Sequence, residues 1–435
     1  MKRKIEQKLI KWKNSNHRKP LIVRGARQVG KTWSIEKFGK EYFDKTIVLD
    51  FERNLRYHSF FEDNLNPKTI LQNIEIIKRV KIDIDSTLLF FDEIQSCPRA
   101  IMSLRYFYEE MPELHIIAAG SLLDFALDKI SFPVGRIQYL NMYPLSFSEF
   151  LLARNNQTAY EIIKSKPKKL PNSLHNTLIS ELKKYLIVGG MPESVKRYIE
   201  NQSFLESFQV QDELIMSMKD DFSKYAPRIS QQCLEDVFIN SSKNVGNQVT
   251  YSNLSNSFSS PTIKKAFEIL IKARIIKKVA SIGILKHPFD IQSSSKKFKI
   301  IALDIGFWQR LSGLTLEREI IKNELMDIYR GNLVEQFVGQ ELLASSKNDR
   351  LFYWARNKRS SNAEIDYVVS YDGEIYPIEV KSGSSGSLKS MHLALKEYPN
   401  CKTGLVFSTR EYAELPEQKL MFLPLYYAGT SFQYL

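Results

Sequence analysis

Cysteine is scarce in this 435-residue chain: Cys97, Cys233 and Cys401 stand far apart and form no CxxC pair. Such spacing argues against a disulfide framework or a zinc knuckle and suits a reducing compartment, so a cytoplasmic protein is expected. No uninterrupted apolar run reaches the roughly 18–20 residues that span a bilayer, and no membrane role is expected. The opening stretch MKRKIEQKLIKWKN lacks the apolar segment of a secretory leader. The six histidines are scattered and make no HExxH pattern. Acidic side chains are in the minority, 49 Asp and Glu against 62 Lys and Arg, for a net charge of +13.

That excess is uneven. Between Phe258 and Ile300 stand Lys264, Lys265, Lys272, Arg274, Lys277, Lys278, Lys286, Lys296, Lys297 and Lys299, against only Glu268 and Asp290. The window reads either as a solvated basic surface or as a contact for a polyanion, with DNA ahead of RNA as the nucleic acid.

With 43% hydrophobic and 26% charged residues the chain is globular, and its length suits two to four domains. Ile5, Leu9 and Trp12 fall at helical spacing. Leu21–Val23, Thr46–Phe51, Leu88–Phe91, Ile116–Ala119 and Ile137–Met142 are short apolar runs with helical stretches between them. Buried runs alternating with helices predict a parallel α/β sheet covered on both faces. From about Phe147 to Tyr225 the strand signal vanishes and helices are expected. Residues 229–300 predict short helices and a hairpin. Ser260–Ala273 opens on Ser-Pro, and is either the recognition helix of a winged helix-turn-helix or a packed helix whose lysines face water. Beyond residue 323 a helix near Leu333–Ala344 precedes strands near Leu351–Trp354, Glu364–Ser370, Glu374–Lys381 and Gly404–Ser408, with a Ser/Gly loop at Ser382–Ser387. Trp33, Trp308 and Trp354 are expected in the core.

Gly25-Ala26-Arg27-Gln28-Val29-Gly30-Lys31-Thr32 matches GxxxxGK[ST] between a buried strand and a helix. Glycines let backbone amides curl round phosphate oxygens, and the helix N-terminus adds partial positive charge. Lys31 would reach the β/γ-phosphates of ATP, and the Thr32 hydroxyl would hold Mg²⁺. Leu88–Phe91 runs into Asp92 and Glu93. Asp92 would serve the Mg²⁺ through water, and Glu93 would polarise the attacking water. Adjacent residues of a strand point to opposite sides, which suits two different tasks. Ser121, after the next apolar run, either contacts the γ-phosphate or lytic water or is a plain turn serine.

Taken in order, Arg27–Thr32, Asp92-Glu93-Ile94-Gln95, Gly120-Ser121, Gly135-Arg136, Pro144-Leu145-Ser146-Phe147, Gly189-Gly190-Met191-Pro192-Glu193 and Leu303-Asp304-Ile305-Gly306 resemble a prokaryotic family of AAA+-type ATP-binding proteins near the STAND branch. Its members often carry a C-terminal restriction-endonuclease-like domain of unknown function. The resemblance covers nearly the whole chain. It implies that Pro192, in a helical lid, packs on the adenine. It also implies that Arg136 is an arginine finger acting on a neighbouring subunit's nucleotide in a homo-oligomer; the alternative is a surface arginine or a salt bridge. No GxR-type second sensor is present.

In Glu364–Lys381, Asp372-Gly373 lies between two alternating runs, a hairpin signal. A tight turn would oppose Tyr371 to Glu374, Val369 to Tyr376, Asp366 to Glu379 and Glu364 to Lys381. Opposed like charges are destabilising, so Asp366 and Glu379 call for something positive between them, and Mg²⁺ is the natural candidate. Lys381 would orient water or steady the cleaved phosphate. The alternative is a Glu364–Lys381 ion pair with Asp366 turned to water. This D…ExK pattern resembles the restriction-endonuclease-like (PD-(D/E)xK-like) superfamily, which implies that Glu335 is an additional acid of the site. Ile365 stands where a proline often precedes the aspartate.

The expected fold is therefore α/β. It comprises a P-loop AAA+-type ATPase core (1–150), a helical lid (151–228), a basic winged-helix-like region (229–322) and a restriction-endonuclease-like α/β domain (323–435). The expected function is ATP binding and hydrolysis, acting on or regulated by nucleic acid, with a C-terminal Mg²⁺-dependent nuclease-like domain. The alternative is a nucleotide-switched signalling or scaffold protein whose nuclease-like domain is inactive and binds a partner.

Overall fold

Each apolar run of the N-terminal region becomes a strand. The computed structural model describes residues 1–127, 135–222, 229–313, 330–346, 348–356, 363–382 and 387–434, and the chain divides into two units, Met1–Pro144 and Leu145–Leu435.

In the first unit β1 (Leu21–Arg24), β2 (Lys45–Asp50), β3 (Thr87–Asp92), β4 (His115–Gly120) and β5 (Gln138–Asn141) form one sheet in the order β2-β3-β4-β1-β5. Every neighbouring pair is parallel, as expected. β3 and β4 are buried along their whole length. This is why their sequences show no polar alternation: a central strand covered on both faces has no wet side. Helices α1 (Lys4–Lys13), α2 (Lys31–Tyr42), α3 (Pro67–Lys78), α4 (Pro98–Glu110) and the short α5 (Leu123–Leu127) complete the unit. α3 starts where it does because the Asn66 side chain accepts the Lys68 and Thr69 amides and Pro67 fits the first turn. Phe51 and Phe61 pack edge-on to Phe91 with centroids 5.7 and 5.9 Å away. Truncating the fully buried Phe91 to alanine would cost about 3–5 kcal/mol. That aromatic cluster fixes the end of β3, and with it the acidic pair that follows.

The second unit begins with helices alone. α6 (Phe147–Ala153), α7 (Gln157–Lys164), α8 (Asn172–Val188), α9 (Pro192–Asn201) and α10 (Phe204–Asp220) succeed one another, as the lost strand signal predicts. Helices Gln231–Lys243 and Ser260–Lys272 lead to the hairpin β6 (Ile276–Ile282) and β7 (Ser293–Ala302). Helices Ile305–Leu311 and Arg330–Ser345 follow, then β8 (Phe352–Ala355), β9 (Glu364–Tyr371), β10 (Glu374–Val380), helix Lys389–Glu397, β11 (Gly404–Ser408), β12 (Ala413–Leu415) and β13 (Leu420–Pro424). All eight strands belong to one sheet, β12-β13-β11-β10-β9-β8-β6-β7.

The hairpin expected within residues 229–300 is built into the C-terminal sheet. β6 pairs in parallel with β8, Ala280 opposite Phe352 and Ile282 opposite Trp354. The domain limits expected at 228 and 322 fall outside the described residues, as do residues 383–386 of the expected Ser/Gly loop. Trp308 and Trp354 are core residues, but Trp33 is 48% exposed. It occupies the outer face of α2, with the Lys37 ammonium 5.9 Å from its ring. Among the described residues no helix is long and apolar enough to cross a membrane.

Candidate active site

β1 ends at Arg24, and the chain turns through Gly25–Gly30 into α2. Gln28 (φ 63°) and Gly30 (φ 92°) take the left-handed conformations that close the turn. Gly30 caps α2 without any side-chain acceptor, so the first-turn amides of this 12-residue helix face the loop. Ala26 and Val29 are buried, and the Val29 carbonyl is held from behind by the Arg3 guanidinium at 3.0 Å. Lys31, only 6% exposed, donates from Nζ to the carbonyls of Gly25 (3.0 Å) and Ala26 (2.8 Å). Its ammonium therefore lies folded over the loop, where a phosphate would compete for it.

Thr32 Oγ1 donates to Asp92 Oδ2 at 2.8 Å. Asp92 is 5% exposed. Burial pushes its carboxyl up to about 6, with the neighbouring Glu93 charge adding to the rise and the Thr32 hydrogen bond opposing it. The strand order explains the meeting. β3, β4 and β1 are adjacent, so their carboxyl ends bring Asp92, Gly120-Ser121 and the Gly25 loop side by side, where open α/β sheets hold ligands.

Glu93 departs from the expectation drawn from strand alternation. β3 stops at Asp92, and Glu93 takes a left-handed turn (φ 46°). Its direction is set by Gln95, whose Nε2 donates to Glu93 Oε2 at 2.6 Å. Ser121 Oγ lies 3.5 Å from the same carboxylate, and Arg27 Nε lies 3.4 Å from Ser121 Oγ. These are long contacts, but they place Arg27, Ser121 and Glu93 in one chain of polar groups at the mouth of the loop. Gln95 is a site residue that motif reading passed over, although it stands in the quoted Asp92–Gln95 run. A Cβ on Gly120 would come within 2.2 Å of Gln95 Oε1, so the glycine is what lets Gln95 reach Glu93. The donor set of hydroxyl and carboxylate oxygens fits Mg²⁺ carrying a nucleotide.

Arg136 stands apart from this group. Its Nε donates to Glu109 Oε1 at 3.0 Å, and the side chain is 44% exposed. Glu109 also binds Arg105 at 3.1 Å.

Pro192 opens α9 in the second unit, after a tightly held Gly189-Gly190. Gly189 has φ 72°, and a Cβ there would lie 2.2 Å from Asp304 Oδ1; on Gly190 it would lie 2.1 Å from the Leu145 carbonyl. Asp304, fully buried, accepts the amides of Gly190 (2.6 Å), Gly306 (2.9 Å) and Phe307 (3.3 Å). Burial still pushes its carboxyl up to about 6 against those donors. The two glycine-containing motifs of this unit are therefore one structural clamp.

The D…ExK segment forms the expected hairpin. Asp372 (φ 47°) and Gly373 (φ 85°) give the turn two left-handed residues, and the ladder runs from Tyr371–Glu374 to Tyr367–Ile378 in the expected register. It stops there. Asp366 Oδ2 accepts the Val380 amide at 2.8 Å, Ile365 and Glu364 pair with β8, and β10 continues along β11. The Glu364–Lys381 pair does not form. Lys381 Nζ instead binds Glu379 Oε1 at 2.5 Å.

The positive group beside Asp366 is a lysine. Lys299 of β7, 2% exposed, places Nζ 2.8 Å from Glu335 Oε1, 2.5 Å from Glu364 Oε1 and 3.2 Å from Asp366 Oδ1. Burial alone would lower its pKa, but the three carboxylates raise it well above the ordinary lysine value. Burial, reinforced by the Asp366 charge, pushes Glu335 and Glu379 upward. Among the described residues no group of three His, Cys, Asp or Glu side chains is disposed to hold a metal ion. With the Lys299 ammonium among these carboxylates, Mg²⁺ at Asp366, Glu379 and Glu335 does not fit this arrangement.

The basic window is also smaller than its sequence count. Arg274 and Lys277 both engage Asp349 (3.4 and 2.5 Å), Lys278 packs over Phe298 (4.7 Å), and Lys299 is buried. Lys264, Lys265, Lys286, Lys296 and Lys297 are exposed.

Comparison with known proteins agrees with the loop geometry. Residues 17–151 match the family model of an AAA domain. Residues 179–318 and 330–427 match two domains of unknown function, DUF8612 and DUF4143. No curated protein matches the chain. Among solved structures, a Walker-type ATPase of Pyrococcus abyssi is 15% identical, covering 71% of this chain and 95% of its own, with a TM-score of 0.44. The Orc1 protein of Aeropyrum pernix in complex with DNA is 9% identical over 73% of this chain and 92% of its own (TM-score 0.29). The RuvB Holliday junction branch migration motor of Thermotoga maritima is 14% identical over 64% and 90% (TM-score 0.28). With the phosphate loop, the parallel sheet and the family match over one stretch of sequence, residues 17–151 form an AAA-type P-loop domain.

Proposed function

We propose that the protein binds ATP with Mg²⁺ at the Gly25–Thr32 loop and hydrolyses it. The observation that carries this reading is the part-buried Thr32–Asp92 hydrogen bond beside a Lys31 ammonium folded over the loop carbonyls. Lys31 and the α2 amides hold the β- and γ-phosphates, and Thr32 and Asp92 hold the metal. Bound Mg²⁺ supplies charge neutralisation for the phosphates. Glu93, aimed by Gln95, accepts a proton from the attacking water, and Ser121 and Arg27 line its approach. ATP titration of wild type and Lys31→Ala is the test. Loss of affinity and turnover in the variant is expected; unchanged values in both would sink the reading.

The exposed lysines of helix Ser260–Lys272 and of β7 support a second element, contact with nucleic acid. Lys264, Lys265, Lys296 and Lys297 are exposed on these two elements. Replacing Lys264 and Lys265 by alanine should lower the salt dependence of DNA binding by about two counterions. DNA binding that keeps its full slope in that variant would remove these lysines from the interface.

A specific observation favours the alternative in which the C-terminal domain does not cut. Lys299 fills the space among Glu335, Glu364 and Asp366. On this reading ATP state in the first unit governs binding of a partner by the second.

A further inference from the structure

We propose that Lys299 is the resident cation of the carboxylate cluster in the C-terminal sheet. It stands where a divalent metal would stand, so the domain holds its strands together by an internal ion cage and binds no catalytic metal. The inference deepens the non-cutting reading above and is independent of ATP binding in the first unit.

The three ammonium protons of a lysine match the three carboxylate oxygens around it. Glu335 arrives from the helix Arg330–Ser345, Glu364 and Asp366 from β9, and Lys299 from β7. All three contacts lie within 3.2 Å. A hard cation with oxygen ligands at about 2.0–2.6 Å would have to occupy that same space. The remaining oxygens do not build a second cage. Asp366 Oδ2 is taken by the Val380 amide, and Glu379 Oε1 by Lys381. Glu364 Oε2 accepts from Gln248 Nε2, and Glu379 Oε2 is the oxygen of this group that is buried and unpartnered among the described residues. Nor is Lys299 placed to swing away. Phe298, Ile300 and Ile301 on either side of it are buried, and its ring neighbour Tyr353 lies 5.5 Å from Nζ. Removing the ammonium would leave the buried Glu335 and the half-buried Glu364 and Asp366 facing one another, a costly arrangement that a metal ion would relieve.

Mn²⁺ binding by the nucleotide-free full chain, read by electron paramagnetic resonance in an Asp92→Asn background that silences the first unit, tests this. With Lys299 present, no bound Mn²⁺ is expected, and Asp366→Asn should change nothing. Lys299→Ala should gain one Mn²⁺ per chain, at least about tenfold tighter than any uptake with Lys299 in place. One Mn²⁺ bound with Lys299 present and lost in Asp366→Asn would overturn the proposal, as would a folded Lys299→Ala that takes up no metal. If Lys299→Ala fails to fold without Mn²⁺, the comparison with Asp366→Asn still decides. ATP affinity measured in the chain with Asp92 intact separates this outcome from a failure of the ATP reading.

Discussion

Thr32 and Asp92 are 60 positions apart in sequence, yet the hydroxyl of one donates to the carboxylate of the other at 2.8 Å. Burial pushes the Asp92 carboxyl up to about 6, so the aspartate sits there at a cost in desolvation that the Thr32 hydrogen bond only partly offsets. On the proposed reading the pair exchanges its mutual hydrogen bond for a shared cation.

Thr32→Val and Glu93→Gln should separate binding from chemistry. The valine keeps the shape and removes the oxygen, so Mg²⁺-dependent ATP affinity should fall, with turnover down about 100-fold. Glu93→Gln should bind ATP within about twofold of wild type and lose about 10²–10⁴ in turnover, the range of general-base contributions. Calorimetry and phosphate release measure the two; equal effects on affinity would remove Glu93 from its assigned role.

Acid should weaken Mg²⁺–ATP binding through Asp92. In the proposed site the metal is held by the ionised carboxylate, and burial favours the neutral acid, so the proton competes as pH falls through about 6. Below that point the affinity should drop by up to about tenfold per pH unit. In metal-free protein the sign reverses. The raised value contributes stability that is fully present below the ordinary carboxylate range and is lost as pH rises through about 6. Melting temperatures with EDTA and with Mg²⁺–ATP, across pH 4–8, should therefore diverge upward. Asp92→Asn should show neither inflection.

Arg136→Ala should leave ATP turnover within about twofold at every protein concentration. Its guanidinium is already engaged by Glu109, at an exposed position where such a pair adds little. Turnover that collapses in the variant, and that rises with concentration in wild type, would give Arg136 a role on a neighbouring subunit.

Asp304→Ala should destabilise the second unit by about 3 kcal/mol or more, because the amides of Gly190, Gly306 and Phe307 lose one buried acceptor together. Asp304→Asn should recover part of that loss. Thermal unfolding measures both. A variant as stable as wild type would mean that the clamp is not what seats Gly189-Gly190.

The phosphate loop was legible because its chemistry is local: eight contiguous residues after a buried strand carry backbone, ammonium and hydroxyl together. Asp92 was legible because it ends an unbroken apolar strand. Glu93 was read with the wrong rule, since alternation says nothing about a residue one step past the strand, where a left-handed turn takes over. Lys299 was counted with the surface cations. Its partners Glu335 and Asp366 lie 36 and 67 residues away, and only the fold brings them together. One signal was present: Ile301 breaks the alternation of Phe298-Lys299-Ile300 and puts an apolar residue on the same face of the strand as Lys299. The hairpin register was right until Asp366 took the Val380 amide, a side-chain event that strand pairing rules do not contain.

The parallel pairing of β6 with β8 governs where this polypeptide tolerates being cut. A fragment starting after β7 would carry β8 with its outer row of amides and carbonyls stripped bare, and Lys299 would go with the discarded piece. Such a fragment should aggregate or stay unfolded, whereas one starting at Leu145 keeps every strand of the sheet. An autonomous C-terminal piece thus has to include β6 and β7, upstream of the D…ExK segment.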